Sequence, residues 1–346
     1  MKVSICIPQY NRIKYLLQSL EIISRQDYPN IEVVVSDDCS TDETREQITK
    51  LVPLYKFPIL YHRNSRNLGY DANYRKSIEL ATGDYCLVIG NDDTLNGEDA
   101  VSFLVNFLTH NNYPEIGFSN FVEAAQPSIT VQRAYATALL GTGYRVALQY
   151  YSCFSFVGGL IYKKSEFDKF NTSKHDGSIY AQMYLGCLMI SSGCRLFSIE
   201  RPLVIKDLEV DGKERKSYKD TIARRWKDYR AQDGGLASVI HVLLSAFRDA
   251  GKISQDVVYH IFKRIYTVTY PHWILDYKSN GALPAAVGLV SGMRPGRNLD
   301  FGLLSFGNRI KLRLYYSLYS VASLCIPSFL FMKMKQRLYR FAKKRK

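Results

Sequence analysis

The sequence predicts an α/β fold, with a largely parallel sheet followed by a helical C-terminal region. From Lys2 to about Phe118, short β-branched runs alternate with amphipathic runs, a pattern typical of βαβ units. Beyond about Arg215, the apolar residues recur at helical spacing instead. The chain has 346 residues, of which 47% are hydrophobic and 23% charged, so it is long and apolar enough for about two folded domains. Extensive disorder is therefore excluded.

The βαβ pattern resolves into five strands and four helices. The predicted strands are Val3–Ile7, Ile31–Ser36, Ile59–His62, Tyr85–Ile89 and Ile116–Phe118. The predicted helices between them are Ile13–Ser24, Asp42–Lys50, Ala72–Leu80 and Glu98–Leu108. Ser40 followed by Glu43 predicts a capping box at the start of the second helix.

The rest of the chain is expected to complete the sheet and then to become helical. Strand-like runs at Phe156–Tyr162 and Leu196–Ile205 flank a helix-like run at Ala181–Ser192. The Gly-, Ala- and Pro-rich segment Asn280–Asn298 predicts a loop or linker. We expect a sheet domain over residues 1–212, a helical region over 213–300 and a basic tail over 301–346.

The cysteines and the charge restrict the class of protein. Seven cysteines without a CxxC pair argue against a disulfide framework or a cysteine-rich zinc site and favour reduced thiols in the cytosol. The net charge is +14, but residues 301–346 hold eleven Lys or Arg and no acid, which leaves +3 for residues 1–300. A nucleic-acid binder is expected to spread its charge over a folded face instead, so we expect no nucleic-acid partner.

The basic tail predicts contact with an anionic membrane surface. Leu314–Met332 contains no charged residue, but serines, tyrosines and Pro327 dilute its hydrophobicity. A helix lying in the membrane interface is favoured over a true span and over an ordinary buried helix. The basic residues expected to face lipid head groups are Lys333, Lys335, Arg337, Arg340, Lys343, Lys344, Arg345 and Lys346.

Four polar turns follow the first four predicted strands. They are Pro8–Asn11, Asp37–Ser40, Arg66–Asp71 and Gly90–Asp93. Each alone could be only a helix cap or a solvated loop. In an open α/β sheet, however, ligands bind at the carboxyl ends of the strands, so the joint placement of these turns predicts a binding site.

The chemistry of these turns favours a diphosphate held through a metal ion. Acidic loops at one edge repel one another unless a cation or a donor-rich ligand compensates them. Hard oxygen ligands without His or Cys suit Mg²⁺ or Mn²⁺, which commonly bridges substrate phosphates. No G-x-G-x-x-G or P-loop motif follows the first strand, which argues against a dinucleotide site or a P-loop.

Four motifs in this order resemble the inverting family 2 glycosyltransferases of GT-A fold, which use nucleotide-activated sugars. Val3–Asn11 resembles the opening strand and P-x-Y-N turn, and Ser36–Asp42 resembles D-D-G-S-x-D with Cys39 in place of Gly. Asn67–Gly69 resembles the N-x-G turn, and Asn91–Asp93 resembles the end of D-x-D-D, with Gly90 at the first Asp. The resemblance covers roughly residues 1–205 and includes transferases of bacterial O-antigen and capsule, among them abequosyltransferase-like members.

The resemblance implies roles for particular residues. Pro8, Tyr10 and Asn11 would line the base pocket, and Asp38 would accept a hydrogen bond from the base. The remaining residues implied in nucleotide-sugar binding are Asn67, Gly69, Asp71 and Asn91. Asp92, together with Asp93, would face Mg²⁺ or Mn²⁺, although Asp93 could instead orient the loop.

The implied reaction is transfer of a hexosyl or deoxyhexosyl group to an acceptor hydroxyl with inversion, which needs a general base. Asp176, before the predicted helix at 181, is the leading candidate for this base, although a capping role is the alternative. Asp168 and Asp207 are weaker candidates. The implied partners are a nucleotide-sugar donor and a glycan or lipid-linked glycan acceptor, at the inner face of the cell membrane.

Two other functions stay open at this stage. A sugar nucleotidyltransferase uses a related sheet and a metal ion, but its glycine-rich, basic opening loop is missing here. A nonenzymatic membrane or nucleic-acid binding protein with a decayed transferase-like domain is the third reading, prompted by Gly90 and the net charge.

Overall fold

The computed structural model describes residues 1–210, 213–214, 235–331 and 333. Two compact units are present. The sheet unit comprises residues 1–147, 151–177 and 189–215, and the helical unit comprises residues 148–150, 178–188 and 216–346. Of the basic residues predicted to face lipid, only Lys333 lies within the described residues.

The first half of the sheet unit alternates strand and helix as predicted, except for one short strand, the fifth, that was not predicted. Its strands are β1 (Val3–Gln9), β2 (Ile31–Asp37), β3 (Ile59–Arg63), β4 (Tyr85–Val88) and β5 (Thr94–Leu95). Its helices are α1 (Ile13–Ile23), α2 (Thr44–Leu51), α3 (Tyr70–Glu79) and α4 (Ala100–His110). β1 and β2 read as nearly unbroken apolar runs because both of their faces are buried.

The second half adds shorter strands and helices. The strands are β6 (Ile116–Glu123), β7 (Gln126–Val131), β8 (Ala138–Gly141), β9 (Leu160–Lys163), β10 (Leu196–Lys206), β11 (Glu209–Val210) and β12 (Lys213–Glu214). The helices are α5 (Tyr144–Tyr150), α6 (Lys164–Phe170) and α7 (Ala181–Ser191), of which the end of α5 and most of α7 belong to the helical unit.

The main sheet has the strand order β3-β2-β1-β4-β9-β6-β10-β5. β1, β2, β3 and β4 are parallel, whereas β9 runs antiparallel between β4 and β6. The prediction of a largely parallel sheet therefore holds for the first four strands, and the sheet is mixed beyond them. In the parallel register Gln9 lies beside Asp37, and Asp37 beside Arg63, so the carboxyl ends of three strands are level.

The capping box predicted at Ser40 and Glu43 is wrong. α2 begins at Thr44, and no side chain caps it from the position of Glu43. Asp42 instead accepts hydrogen bonds from the backbone N–H and the hydroxyl of Thr44. The Ser40 hydroxyl accepts a hydrogen bond from the backbone N–H of Asn11, so a contact with the β1 turn replaces the local cap.

The helical unit contains five further α-helices among the described residues. They are α8 (Leu236–Asp249), α9 (Gln255–Arg264), α10 (Tyr270–Ser279), α11 (Leu283–Gly292) and α12 (Phe306–Cys325). A π-helical turn at Ile265–Thr269 joins α9 to α10. The loop predicted at Asn280–Asn298 is wrong over most of its length, because α11 occupies it. Pro284 lies in the first turn of α11. Its missing backbone N–H removes no hydrogen bond of the helix, because N–H groups in the first turn have no partner within the helix.

A buried carboxylate ties the first strands of the sheet together. Glu32 in β2 accepts hydrogen bonds from the Ser4 hydroxyl (2.6 Å) and from the backbone N–H and hydroxyl of Thr82 (both 2.7 Å), and it pairs with Lys2. Burial acts to raise the pKa of Glu32, but the bonds from Lys2, Ser4 and Thr82 outweigh it and lower the pKa to about 2.

We predict that Glu32→Gln destabilises the protein by about 2 kcal/mol at pH 7, because the amide cannot accept every bond the carboxylate accepts. A depressed pKa stabilises the fold above the unfolded-state value of about 4.5, and this stabilisation is lost as the pH falls towards 2. Urea unfolding at pH 7 and at pH 3 measures the difference, which should shrink at the lower pH. The exposed variant Glu46→Gln is the control and should leave the unfolding midpoint unchanged. An equal loss for Glu32→Gln at both pH values would contradict the assignment.

Candidate active site

The four polar turns predicted from the sequence meet at one edge of the sheet. They lie at the carboxyl ends of β1, β2, β3 and β4. Together with the residues that adjoin them, we call them the carboxyl-edge turns: residues 8–12, 37–42, 64–71 and 90–93. β1 lies between β2 and β4, so the strand order reverses direction there. Such a reversal opens a crevice in which α/β proteins bind ligands.

The turn after β1 is hydrogen-bonded to two of the other turns. The Asn11 backbone N–H donates to the Ser40 hydroxyl at 3.0 Å, and the Asn11 side-chain oxygen accepts from the Thr41 backbone N–H at 2.7 Å. The Asn91 amide donates to the Tyr10 carbonyl at 3.3 Å. Separate segments of the sequence are therefore fixed to one another, and the Tyr10 ring stays 43% exposed beside them.

Asp38 holds the turn that precedes α3. Its buried carboxylate accepts hydrogen bonds from the Leu68 backbone N–H (2.7 Å), the Gly69 backbone N–H (3.0 Å) and the Asn64 amide (3.0 Å). The Asn67 side chain also accepts from Gly69, at 2.9 Å. Asp38, Asn67 and Gly69, three of the predicted nucleotide-binding residues, therefore form one rigid unit. Gly69 has φ +86°, which favours glycine.

Cys39 occupies a backbone conformation that explains the glycine of the resembling motif. Its φ is +61°, in the left-handed region, and its N–H donates to the Asp37 carbonyl at 2.8 Å. For a residue with a Cβ atom this conformation costs about 1 to 2 kcal/mol. The buried Asp37 carboxylate stabilises the turn by accepting bonds from the Ser40 N–H and the Tyr61 hydroxyl.

Asp92 and Arg12 form an ion pair between the turns after β4 and β1. The Asp92 backbone carbonyl also accepts from the Leu208 N–H at 2.7 Å. Arg12 had no assigned role in the sequence prediction. In the sequence, only its position directly after the Pro8–Asn11 turn indicates that Arg12 lies at this site.

Asp93 is buried within the protein. Its two carboxyl oxygens accept from the backbone N–H groups of Gly90 (3.0 Å) and Asp207 (3.2 Å). Burial, together with the nearby charge of Asp92, raises the pKa of Asp93 to about 8. Because both carboxyl oxygens already accept backbone hydrogen bonds, these contacts favour the loop-orienting role.

Gly90 leaves room for the carboxyl group of Asp93. A Cβ atom at Gly90 would lie 2.8 Å from an Asp93 carboxyl oxygen and 3.2 Å from an Asp92 carboxyl oxygen. An aspartate at the first position of D-x-D therefore cannot be accommodated without moving Asp93.

β10 brings a further charged pair to this edge. Asp207 follows β10, pairs with Lys206 at 2.5 Å, and has φ +56°. Through its backbone N–H it contacts Asp93, as described above. The sequence prediction ranked Asp207 only as a weaker base candidate, because nothing local indicates which strand end lies beside the turn after β4.

The donor set allows a metal ion to be held through one carboxylate. Among the described residues, no group of three His, Cys, Asp or Glu side chains is arranged to hold a metal ion. Mg²⁺ needs only one or two protein carboxylates when substrate phosphates complete its coordination. Asp92 fits that requirement, since its ion pair with Arg12 uses one carboxylate oxygen, whereas both Asp93 oxygens accept backbone hydrogen bonds.

Asp176 belongs to a second polar cluster of the sheet unit. Its two carboxylate oxygens accept from the Arg75 guanidinium at 2.9 and 2.5 Å. Arg75 also donates to Glu79 and to the Asn171 side chain, both at 3.0 Å. The carboxylate is thus fixed in orientation, and its side chain remains 23% exposed.

Two other predicted residues differ in accessibility. Asp71 is buried in the first turn of α3, so any contact with the nucleotide-sugar would be indirect. Pro8 is half-buried at the end of β1.

Comparisons with known proteins show the family to which the chain belongs. The sequence profile of Glycosyl transferase family 2 matches residues 4–138. The abequosyltransferase RfbV of Salmonella typhimurium is 33% identical over 253 residues, which are 64% of this chain and 73% of that protein. The chain belongs to glycosyltransferase family 2.

Solved structures show the same fold. The Staphylococcus aureus TarS structure of residues 1–349 superposes with a TM-score of 0.59 at 16% identity, covering 93% of this chain and 89% of that one. A Pyrobaculum calidifontis mannosyltransferase in complex with GDP-Man and Mn²⁺ superposes with a TM-score of 0.53 at 17% identity, covering 94% and 87%. The predicted GT-A fold and glycosyltransferase activity are confirmed.

We predict that Asp38→Asn weakens donor binding at least tenfold, because an amide NH₂ group would face one of the N–H donors at Leu68 and Gly69 and release the turn. Titration with a panel of nucleoside diphosphates measures the affinity. The matched control is Asp168→Asn, which removes an exposed carboxylate paired with Lys164 and should leave affinity unchanged. Unchanged affinity in Asp38→Asn would mean that the turn does not contact the donor.

Proposed function

We propose that this enzyme transfers a hexosyl or deoxyhexosyl group, with inversion, from a nucleotide-sugar to a hydroxyl group of a lipid-linked bacterial surface polysaccharide. The observation that carries the proposal is the similarity to the abequosyltransferase along most of that relative's length, combined with the joined carboxyl-edge turns.

The donor is proposed to bind across the carboxyl-edge turns. The exposed Tyr10 ring and Asn11 face the base, and Asp38 fixes the neighbouring turn. Asn91 lies on the ribose side. Arg12 and Lys206 are the cations closest to Asp92 and Asp207, and they can stabilise the negative charge of the diphosphate.

Asp92 is the residue proposed to hold Mg²⁺ or Mn²⁺. When bound, such an ion supplies positive charge that stabilises the departing diphosphate. Asp93 supports the turn from behind through its bonds with Gly90 and Asp207.

Asp176 is proposed as the general base. An acceptor hydroxyl attacks the anomeric carbon, its proton passes to the carboxylate, and the bond from the anomeric carbon to the diphosphate oxygen breaks. Arg75 fixes the direction of the carboxylate. A positioned base contributes typically 10² to 10⁴-fold to the rate.

A lipid-linked acceptor would place the reaction at the inner face of the cell membrane. Among the described residues, the structure contains no helix that is both long enough and apolar enough to span a bilayer. The excess of basic residues beyond residue 300 supports a peripheral attachment to anionic lipids.

We predict that the purified full-length protein with Mn²⁺ releases nucleoside diphosphate from one member of a panel of UDP-, CDP-, GDP- and dTDP-sugars, with bacterial membrane extract as acceptor. Asp92→Ala should lower release at least 100-fold with an unchanged circular dichroism spectrum, and should weaken Mn²⁺ binding measured with nucleoside diphosphate present. The absence of release from every wild-type reaction would refute the transfer, and wild-type turnover in Asp92→Ala would refute the metal role.

We predict that Asp176→Asn lowers kcat at least 100-fold and changes the KM for the donor less than threefold, because the base acts on the acceptor. Asp207→Asn provides the comparison and should lower kcat less than tenfold. Steady-state kinetics with the active donor measure both. If the order of the two effects is reversed, Asp207 is the base.

A further inference from the structure

One face of α12 packs into the helical unit, and the opposite face lies open. Leu312, Ser320 and Ser323 are buried on the packed face. The Tyr270 hydroxyl lies 2.6 Å from the Ser320 hydroxyl oxygen, and the Tyr316 hydroxyl donates to the Val290 carbonyl at 2.8 Å. These contacts fix the rotation of the helix about its axis.

The open face is apolar. Leu314, Leu318 and Val321 are 62%, 64% and 63% exposed, and Ile310 extends the row towards the start of the helix. At about 100° per residue, these four side chains fall within an arc of about 80°. We call them the α12 stripe. Exposed Leu303 and Phe306 directly precede it in the chain.

Basic residues border the α12 stripe on both sides. At the same helical spacing, exposed Lys311 falls at one border of the stripe and exposed Arg313 at the other. The chain holds no acidic residue from 301 to its end and eight further Lys or Arg from 333 onward. An apolar row between long basic side chains is typical of helices that lie in a membrane interface, where the charged ends extend to the head groups.

We infer that the α12 stripe docks on an anionic lipid bilayer, with Leu314, Leu318 and Val321 entering the acyl boundary and Lys311 and Arg313 contacting phosphate groups. The basic border favours an anionic bilayer over a second copy of the chain, because symmetric pairing of two stripes would bring the basic residues of both copies together. The sequence had predicted interface contact for Leu314–Met332. The structure instead starts the apolar row at Ile310 and turns Leu312 and Tyr316 away from it.

This inference rests on the proposed function only for the lipid-linked acceptor. It identifies the surface that would keep the enzyme beside such an acceptor. Lipid binding and sugar transfer are measured separately, so either can fail alone.

The test is vesicle sedimentation of the full-length protein. Wild type should bind mixed phosphatidylcholine and phosphatidylglycerol vesicles more tightly than phosphatidylcholine alone, and added salt should weaken that binding. The triple variant Leu314→Gln, Leu318→Gln and Val321→Gln should bind the mixed vesicles at least tenfold more weakly. The matched control replaces three exposed apolar residues of the sheet unit, Leu54→Gln, Ile129→Gln and Leu139→Gln, and should bind like wild type.

Three results would overturn the inference. They are wild-type protein that does not bind mixed vesicles, a stripe variant that binds as tightly as the control, and a wild-type dimer that the stripe variant converts to monomer in sedimentation equilibrium. Urea unfolding of the stripe variant should match wild type, since the replaced side chains are exposed. Donor hydrolysis by the stripe variant without vesicles should also match wild type. If wild-type protein binds vesicles but uses no donor, the proposed function is refuted and the lipid-binding inference stands.

Discussion

The arrangement of the site depends on one constraint, which is that every buried carboxylate at the carboxyl edge must be compensated. Asp38, Asp92 and Asp93 come from two loops, and their partners come from other segments: Leu68 and Gly69, Arg12, and Asp207. An unpaired buried charge would cost several kcal/mol. Satisfying the carboxylates therefore also fixes the distances between turns that are far apart in the sequence.

Much of the sheet unit could be predicted because local signals and tertiary structure agree there. β1, β2 and β4 are buried on both faces, so their apolar runs identify them, and α1 and α4 carry apolar stripes. Local signals failed where a distant partner decided the outcome. Ser40 has the sequence context of a capping residue, but its hydroxyl accepts a hydrogen bond from Asn11. Within the Gly-, Ala- and Pro-rich segment, residues 283–292 form α11, which buries Ala285, Ala286 and Leu289.

In the site, too, some features could be predicted from the sequence and others could not. Parallel strands in register bring their carboxyl ends level, so the meeting of four polar turns followed from strand assignment alone. The position of Asp207 beside Asp93 depends on β10, which follows more than a hundred residues after β4. The pairing of Arg12 with Asp92 joins the turns after β1 and β4, and no local pattern in the sequence indicates it. The role of Asp38 was also only partly predicted. The sequence indicated that Asp38 belongs to the site, but not that it fixes the turn before α3.

The two departures from the family motifs have different physical consequences. Cys39 adopts the left-handed backbone conformation that glycine would adopt at lower cost. The hydrogen bonds accepted by Asp37 stabilise the turn in this conformation. Gly90 is instead required, because its missing side chain provides the space for the Asp93 carboxyl group. The first departure leaves the turn intact, whereas the second removes one carboxylate from the edge.

Removing that carboxylate changes the electrostatics that a donor meets. Asp92 is paired with Arg12 and Asp207 with Lys206, and burial raises the pKa of Asp93, which disfavours its charged form. Around these three aspartates the negative charge is therefore largely compensated. In the proposed donor site, a diphosphate would meet the two cations Arg12 and Lys206, and a metal ion held at Asp92 would add to their effect. An aspartate in place of Gly90 would add negative charge to the same space.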